Sequence, residues 1–126
     1  MKKWLTICHK DDILPNMGRC ALITVQDQQR QVAIFNIVDR QGNEQFYAID
    51  NFCPFSKTNT LSRGITGDIN GQLVVASPLY KQHFNLKTGQ CIEDNTVTVN
   101  TYSVRCDNEH ILIAINASAE EQSNDH

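Results

Sequence analysis

The chain has 126 residues and a formal net charge of −3, with 40% hydrophobic and 20% charged residues. That length fits one domain with one modest core, and the composition is that of an ordinary globular protein rather than a disordered or membrane-embedded chain. No apolar run approaches the roughly 18–20 residues that a membrane span requires, and the start of the chain lacks the apolar segment of a secretory signal. We therefore expect a cytoplasmic domain that does not enter a membrane.

Part of the negative charge is concentrated at the end of the chain. Residues 116–126 include Glu120, Glu121 and Asp125 and no Lys or Arg, so residues 1–115 carry 11 acidic and 11 basic side chains. A neutral body offers no basic face to nucleic acid. The last segment is polar and has no apolar periodicity, which is typical of disorder. We expect one domain at 1–115 and a disordered polar tail at 116–126.

In chain order, nearly every structural signal indicates a β-strand. Nine short segments are rich in β-branched or aromatic residues and are bounded by turn-forming residues; they lie at 4–8, 20–26, 31–38, 45–50, 73–76, 83–86, 97–99, 102–106 and 111–115. Turns are expected at 39–43, 70–71, 87–89 and 107–108. A helical turn capped by an Asp is predicted at 11–15, before Pro15. The sequence therefore predicts an all-β sandwich or barrel.

Two segments differ from their neighbours. The strand at 31–38 is apolar on both faces, which is typical of a central strand covered on both sides. At 111–115 the three isoleucines should face one side, and Leu112 and Ala114 the other. The interval 51–71 is predicted to be one long loop, and a loop of that length in a compact domain is more often functional than not.

The chain shows no complete catalytic or metal-binding motif. Its five cysteines, at 8, 20, 53, 91 and 106, form no Cys-x-x-Cys pair, and no His or Cys set has zinc-ligand spacing. We expect reduced thiols that serve mostly as small core residues. Phosphate-binding loops, nucleophile elbows and His-Glu-x-x-His motifs are absent from the sequence. We therefore expect no metal ion and no catalytic residue in this chain.

Two tetrapeptides share a layout, Cys-Pro-Phe-Ser at 53–56 and Ser-Pro-Leu-Tyr at 77–80, and the second is followed by Phe84 and a Thr-Gly turn. The layout resembles a Rieske domain, in which Cys-x-His and Cys-x-x-His loops bind a two-iron cluster. The corresponding positions here are Cys53, Phe55, Ser77 and Tyr80. One thiolate does not hold a cluster in which each iron takes two protein ligands. The resemblance implies a Rieske-like β-sandwich or barrel that keeps both loops and lacks the cluster.

A more specific resemblance rests on three segments: Pro-Phe-Ser at 54–56, Leu-Ser-Arg-Gly-Ile at 61–65 and Ser-Pro-Leu-Tyr-Lys at 77–81. Together they resemble the small subunit of assimilatory NADH-dependent nitrite reductase. The resemblance implies a non-catalytic accessory subunit that docks on a large redox subunit. That large subunit would hold FAD, an iron–sulfur cluster and siroheme and reduce nitrite to ammonia in nitrate assimilation, whereas this chain would hold no cofactor.

Two other functions remain open at this point. An autonomous Rieske ferredoxin is the first, but it needs four ligands where the sequence supplies one. A thiol enzyme at Cys53 is the second, and it needs a base or another group that lowers the pKa of the thiol. No adjacent residue supplies one, although His83 could approach through the second loop. Phe55 and Tyr80 are expected to pack into the space that a cluster would occupy.

Because the two loops would form an exposed tip, we expect the large subunit to bind there. The candidate contact residues are Lys57, Arg63, Lys81, Gln82 and His83. Of these, Arg63 and Lys81 are the predicted polar anchors.

Overall fold

The computed structural model describes residues 2–116, and Met1 and residues 117–126 lie outside the described residues. The predicted tail at 116–126 therefore falls almost entirely outside them. Between residues 2 and 116 the chain forms β-strands and two short 3-10 helices, and no α-helix. The strands are β1 (Lys2–His9), β2 (Gly18–Val25), β3 (Gln28–Val38), β4 (Glu44–Asp50), β5 (Phe52–Cys53), β6 (Thr58–Asn59), β7 (Ile65–Ile69), β8 (Gln72–Ala76), β9 (His83–Asn85), β10 (Thr101–Tyr102), β11 (Val104–Asp107) and β12 (His110–Asn116). The 3-10 helices are Lys10–Asp12 and Leu61–Arg63. The predicted all-β fold is confirmed.

All strand pairs are antiparallel and group into four sheets. The largest has the order β10-β4-β3-β2, and the first and last strands of the chain meet in a second sheet of order β1-β12-β11. The third sheet has the order β7-β8-β9, and β5 and β6 form a two-stranded ribbon. The motif loop at 53–56 connects β5 to β6, and the motif loop at 77–83 connects β8 to β9. Each of the two motif loops is therefore anchored on sheet structure at both ends.

Strand β3 lies between two hydrophobic clusters, as its two apolar faces predict. Ala33 and Phe35 pack in one cluster with Phe84, on the side of the two loops. Val32 and Ile34 pack in the other, which also contains the three isoleucines of β12. These four residues of β3 are fully buried, and burial of each large side chain contributes roughly 1.5–3 kcal/mol. The loops thus adjoin the cluster that contains Ala33, Phe35 and Phe84.

Several tight turns use residues with a left-handed backbone. The β7–β8 turn is formed by Asn70 (φ 52°) and Gly71 (φ 85°), in agreement with the predicted turn. The β2–β3 turn, at Gln26 (φ 52°) and Asp27 (φ 63°), contains no glycine and was not predicted. Two consecutive positive φ angles are the geometry that suits the twist of a two-residue hairpin.

The helical turn predicted at 11–15 begins one residue earlier, and its cap is not an Asp. The 3-10 helix spans Lys10–Asp12, and the His9 ring accepts a hydrogen bond from the Asp11 N–H at 3.1 Å. In return, the His9 N–H donates to the Asp12 carboxylate at 3.0 Å. The reciprocal pair satisfies donors that a helix start leaves free, so the imidazole of His9 replaces the predicted carboxylate.

Three other predictions about local structure are wrong. The interval 51–71 is not one loop, because it contains β5, β6, the Leu61–Arg63 helix and β7. The strand predicted at 97–99 is reduced to an isolated bridge between Gln90 and Thr98, flanked by backbone hydrogen bonds from Cys91 to Val97 and from Val99 to Gly89. The strand predicted at 102–106 is divided at Ser103 into β10 and β11, which join different sheets.

Over residues 2–116, no helix is long and apolar enough to cross a bilayer.

Candidate functional site

The two motif loops close with the same backbone turn. The N–H of Lys57 donates to the carbonyl of Cys53 at 2.8 Å, and the N–H of Lys81 donates to the carbonyl of Ser77 at 3.0 Å. Both lysines have a left-handed backbone, with φ of 61° and 67°, which is uncommon for a residue other than glycine. A proline follows the first residue of each turn. The two loops are therefore equivalent in geometry as well as in sequence.

The first residues of the two turns meet in the interior. Cys53 and Ser77 are both fully buried, and the Cys53 thiol donates to Ser77 Oγ at 3.5 Å. Burial raises the pKa of the Cys53 thiol, but its hydrogen bonds with Ser56, Ser77 and the adjacent backbone together outweigh it and hold that pKa below its ordinary value of 9.0. The sequence-based expectation that nothing near Cys53 lowers its pKa is therefore wrong, although the sulfur remains closed to solvent.

The two aromatic residues at the former ligand positions have different environments. Phe55 is half-buried, and its ring centroid lies 6.0 Å from that of Phe84, with the ring packed against the core. Tyr80 is 59% exposed. The expected packing into the cluster space is thus found for Phe55 and is wrong for Tyr80. The second turn buries its first residue, Ser77, and leaves Leu79 and Tyr80 facing outward.

A buried amide side chain fixes the segment that follows the first loop. The Nδ2 of Asn51 donates to Gln31 Oε1 at 3.0 Å and to the carbonyl of Asn59 at 3.1 Å. Its Oδ1 accepts the N–H of Ser62 at 2.7 Å, and its backbone carbonyl accepts the N–H of Leu61 at 3.0 Å. Asn51 therefore joins β3, the β5–β6 ribbon and the Leu61–Arg63 helix.

The glycine of the Leu-Ser-Arg-Gly-Ile segment, between the 3-10 helix and β7, allows a close approach to the end of β8. A Cβ on Gly64 would lie 2.2 Å from the carbonyl oxygen of Ala76 and 2.7 Å from a methyl group of Val75. Ala76 is the last residue of β8 and directly precedes Ser77. The segment after Arg63 is consequently held against the base of the second loop.

The end of the second loop is held by a carboxylate. His83 Nδ1 lies 2.7 Å from Glu93 Oε2, and the N–H of His83 donates to Glu93 Oε1 at 2.7 Å. Burial raises the pKa of Glu93, but the hydrogen bonds and charge of His83 together outweigh it and lower that pKa from its ordinary value of 4.5. The histidine that could have approached Cys53 as a base is instead bonded to Glu93.

The predicted contact residues divide into two groups. Lys57, Arg63 and Lys81 are exposed, and they lie at the end of the first turn, the end of the 3-10 helix and the end of the second turn. Gln82 and His83 are half-buried. The Oε1 of Gln82 lies in the interior without a hydrogen-bond partner among the described residues, so this amide is directed inward.

Over residues 2–116, no group of three or more His, Cys, Asp or Glu side chains is arranged to hold a metal ion. A Rieske centre takes two thiolates and two imidazoles. The four equivalent positions offer instead one buried sulfur at Cys53, a hydrocarbon ring at Phe55, a buried hydroxyl at Ser77 and an exposed phenol at Tyr80.

Sequence reasoning missed two residues that organise the site, Asn51 and Glu93. The position of Asn51, between an apolar strand and Cys53, is a weak signal for a buried polar side chain. Glu93 stands ten residues from His83 beside Asp94, and such a pair usually indicates solvated surface, so no local pattern identifies its partner.

Comparison with known proteins connects this geometry to a family. The Rieske-like [2Fe-2S] domain family matches residues 3–114. The "Nitrite reductase (NADH) small subunit" of Escherichia coli K12 is 44% identical over 105 residues, which cover 83% of this chain and 91% of that protein. The solution structure of the E. coli protein NirD is 40% identical, with a TM-score of 0.80 over 92% of this chain and 99% of the other.

A further relative differs in length. The "Nitrite reductase [NAD(P)H] large subunit" of Klebsiella oxytoca is 35% identical over 112 residues, which cover 89% of this chain but 11% of that protein. The family model, the E. coli relative and the shared fold agree over nearly the whole described chain. The chain therefore belongs to the small subunits of NADH-dependent nitrite reductase, within the Rieske-like [2Fe-2S] domain family.

Proposed function

We propose that this chain is the non-catalytic accessory subunit of an NADH-dependent nitrite reductase and that it acts in nitrate assimilation in the cytoplasm. It would dock on a large subunit that reduces nitrite to ammonia with FAD, an iron–sulfur cluster and siroheme. The observation that carries the proposal is the 44% identity to the E. coli small subunit over most of both chains. The K. oxytoca relative supports the choice of partner, because there a similar domain lies within a protein named as the large subunit.

The chain itself is proposed to bind no iron–sulfur cluster. Phe55 has no atom that ligates iron, and Tyr80 faces solvent. Ser77 accepts a hydrogen bond from Cys53, which provides the one sulfur among the four ligand positions. This ligand set does not fit a Rieske centre. The test is anaerobic reconstitution with iron and sulfide, followed by iron analysis and electron paramagnetic resonance of the reduced protein. The expected result is no bound iron and no Rieske signal, and a Rieske signal would favour the ferredoxin alternative.

The accessory role is tested by co-purification with the large subunit. NADH-dependent nitrite reduction is then measured with the large subunit alone and after this chain is added. We expect a stable complex and higher or longer-lasting activity when both chains are present. If the two chains do not associate at any ratio, the proposal is wrong.

The docking face is proposed to include the two turns and the helix end between them. Arg63 and Lys81 are the polar anchors, with Lys57, Gln82 and His83 beside them. Truncation of an interface arginine commonly costs on the order of 2 kcal/mol of binding free energy, so Arg63→Ala should weaken the complex clearly and Lys81→Ala should do so to a smaller extent.

Matched controls for these variants are available on the sheet β1-β12-β11. Arg105 lies on β11, with its guanidinium 4.4 Å from the Trp4 ring centroid, and Lys3 is exposed on β1. Arg105→Ala and Lys3→Ala should bind the large subunit as wild type does. If these two variants lose binding while Arg63→Ala and Lys81→Ala keep it, the proposed location of the docking face is wrong.

A further inference from the structure

The second loop exposes two large apolar side chains side by side. Leu79 is 56% exposed and Tyr80 is 59% exposed. Ile65, which pairs with Ala76 just before this loop, is 77% exposed. Single exposed apolar residues need no explanation, but several at one place on a small domain are typical of a binding surface.

The loop that carries them is closed and held in place rather than open. The N–H of Ser77 donates to the carbonyl of Gln82 at 2.8 Å, and the carbonyl of Ser77 accepts the N–H of Lys81 at 3.0 Å. Ser77 itself is fully buried. Two backbone hydrogen bonds thus close six residues around Leu79 and Tyr80, and a side chain presented in this way loses little conformational entropy when a partner binds.

The surroundings of the loop are positively charged. The segments 51–65 and 77–83 contain Lys57, Arg63 and Lys81 and no Asp or Glu, in a chain whose net charge is −3. All three cations are exposed. Glu93, at the base of the loop, is already bonded to His83. A partner that complements this surface has an acidic border.

We infer that Leu79 and Tyr80 insert together into an apolar recess of the large subunit whose border carries acidic side chains, and that they are the apolar anchors of the complex beside the polar anchors Arg63 and Lys81. The inference rests on the proposed function and adds the chemistry of the partner surface to it. Aromatic side chains and arginines at the centre of an interface are its usual hot spots, and complementary charges raise the association rate. Lys57, Arg63 and Lys81 supply the positive charge beside Leu79 and Tyr80.

The experiment uses the purified large subunit and compares exposed apolar residues of similar size at two places. Leu79→Ser and Tyr80→Ser alter the loop. Leu22→Ser and Leu14→Ser are the controls, because Leu22 is 58% and Leu14 63% exposed and both lie outside the two turns and the Leu61–Arg63 helix. The dissociation constant is measured by biolayer interferometry at about 0.05 M and about 0.5 M salt. Thermal unfolding shows whether each variant is as stable as wild type.

The expected result is an affinity reduced about tenfold or more for each loop variant, mainly through faster dissociation. The controls should bind within about twofold of wild type, and all four variants should melt close to wild type, because their side chains are exposed. Wild-type association should be slower at the higher salt concentration.

Three outcomes would overturn the inference, and they separate it from the proposed function. If wild type does not bind the large subunit, the proposed function fails. If wild type binds and the loop variants bind equally well, the docking role of Leu79 and Tyr80 is wrong while the proposed function stands. If this chain self-associates in sedimentation experiments and Leu79→Ser abolishes that association, a second copy is the occupant of this surface.

Discussion

Cys53 Sγ and Ser77 Oγ lie 3.5 Å apart in the interior, where the two motif loops begin. Each residue also starts a turn that returns to a lysine with a left-handed backbone. The hydrogen bond therefore joins the two loops at their bases and not at their tips. What a partner can contact is the outer part of each loop, and the buried sulfur contributes to packing.

Alkylation should distinguish burial of Cys53 from reactivity. Its lowered pKa favours the thiolate, but the fully buried sulfur excludes a reagent. We expect iodoacetamide at neutral pH to label the exposed Cys20 and Cys106 in the native protein and to spare Cys53 until urea unfolds it. Peptide mass spectrometry is the measurement. Rapid labelling of native Cys53 would restore the thiol-enzyme alternative.

Gly64→Ala should destabilise the fold. The new Cβ would lie 2.2 Å from the carbonyl oxygen of Ala76, and relief of such a contact typically costs about 1–3 kcal/mol. Gly67→Ala, three residues further along on β7, is the matched control, because nothing lies within 4 Å of its added Cβ. That control should be neutral or stabilising by up to about 1 kcal/mol. The free energy of unfolding in urea is the measurement, and equal losses in both variants would contradict the steric argument.

Glu93 should make stability depend on acid pH. Its pKa is lower in the folded protein than the ordinary 4.5; such a carboxylate stabilises the fold above pH 4.5, and this stabilisation is lost as the pH falls through the folded-state pKa. Glu93→Gln should therefore be less stable than wild type at neutral pH and approach it under acid conditions. Urea midpoints across this pH range provide the measurement.

Asp27→Asn, in the β2–β3 turn, is the control for the loss of one negative charge. If the stability difference between Glu93→Gln and wild type is the same at all pH values, the hydrogen bonds from His83 do not act through the charge of Glu93.

Tyr102 should ionise at a higher pH than an ordinary tyrosine. Burial and a 2.6 Å hydrogen bond to Asp50 raise its pKa from 10.0 to about 12, against a smaller opposite effect of Arg30. Near-ultraviolet absorbance should show this late ionisation in wild type and in Tyr80→Phe, but not in Tyr102→Phe. Because the folded-state pKa is the higher one, the stabilisation is present below pH 10 and is lost as the pH rises toward 12. A titration that is identical in all three proteins would contradict this prediction.

Local sequence signals were sufficient for the fold class and for the positions of most strands. The two-faced apolar pattern of β3 predicts its central position, and the Asn70–Gly71 pair predicts the β7–β8 hairpin, because both signals depend on neighbouring residues. The segment 97–99 pairs with 89–91 over three residues only, and the propensity of its residues does not report how far such a pairing extends. The interval 51–71 was misjudged because strands of two residues leave hardly any periodicity to detect.

At the candidate site, the motifs located both loops, but not the direction in which each side chain points. Phe55 and Tyr80 look alike in sequence, and tertiary packing buries part of one and exposes the other. The sequence suggests His83 as a base that could approach Cys53, whereas its contact with Glu93 depends on the pairing of distant backbone segments. Contacts of this kind are set by topology and cannot be obtained from residue spacing.

The hydrogen bonds of Asn51 have a consequence for amide exchange. The N–H groups of Leu61 and Ser62, next to the exposed Arg63, both donate to this one buried residue. Their exchange with deuterated solvent requires the Leu61–Arg63 helix to separate from Asn51, which is itself held by β3 and the β5–β6 ribbon. These two amides should therefore exchange as slowly as amides of the central sheet, although they lie beside a surface side chain.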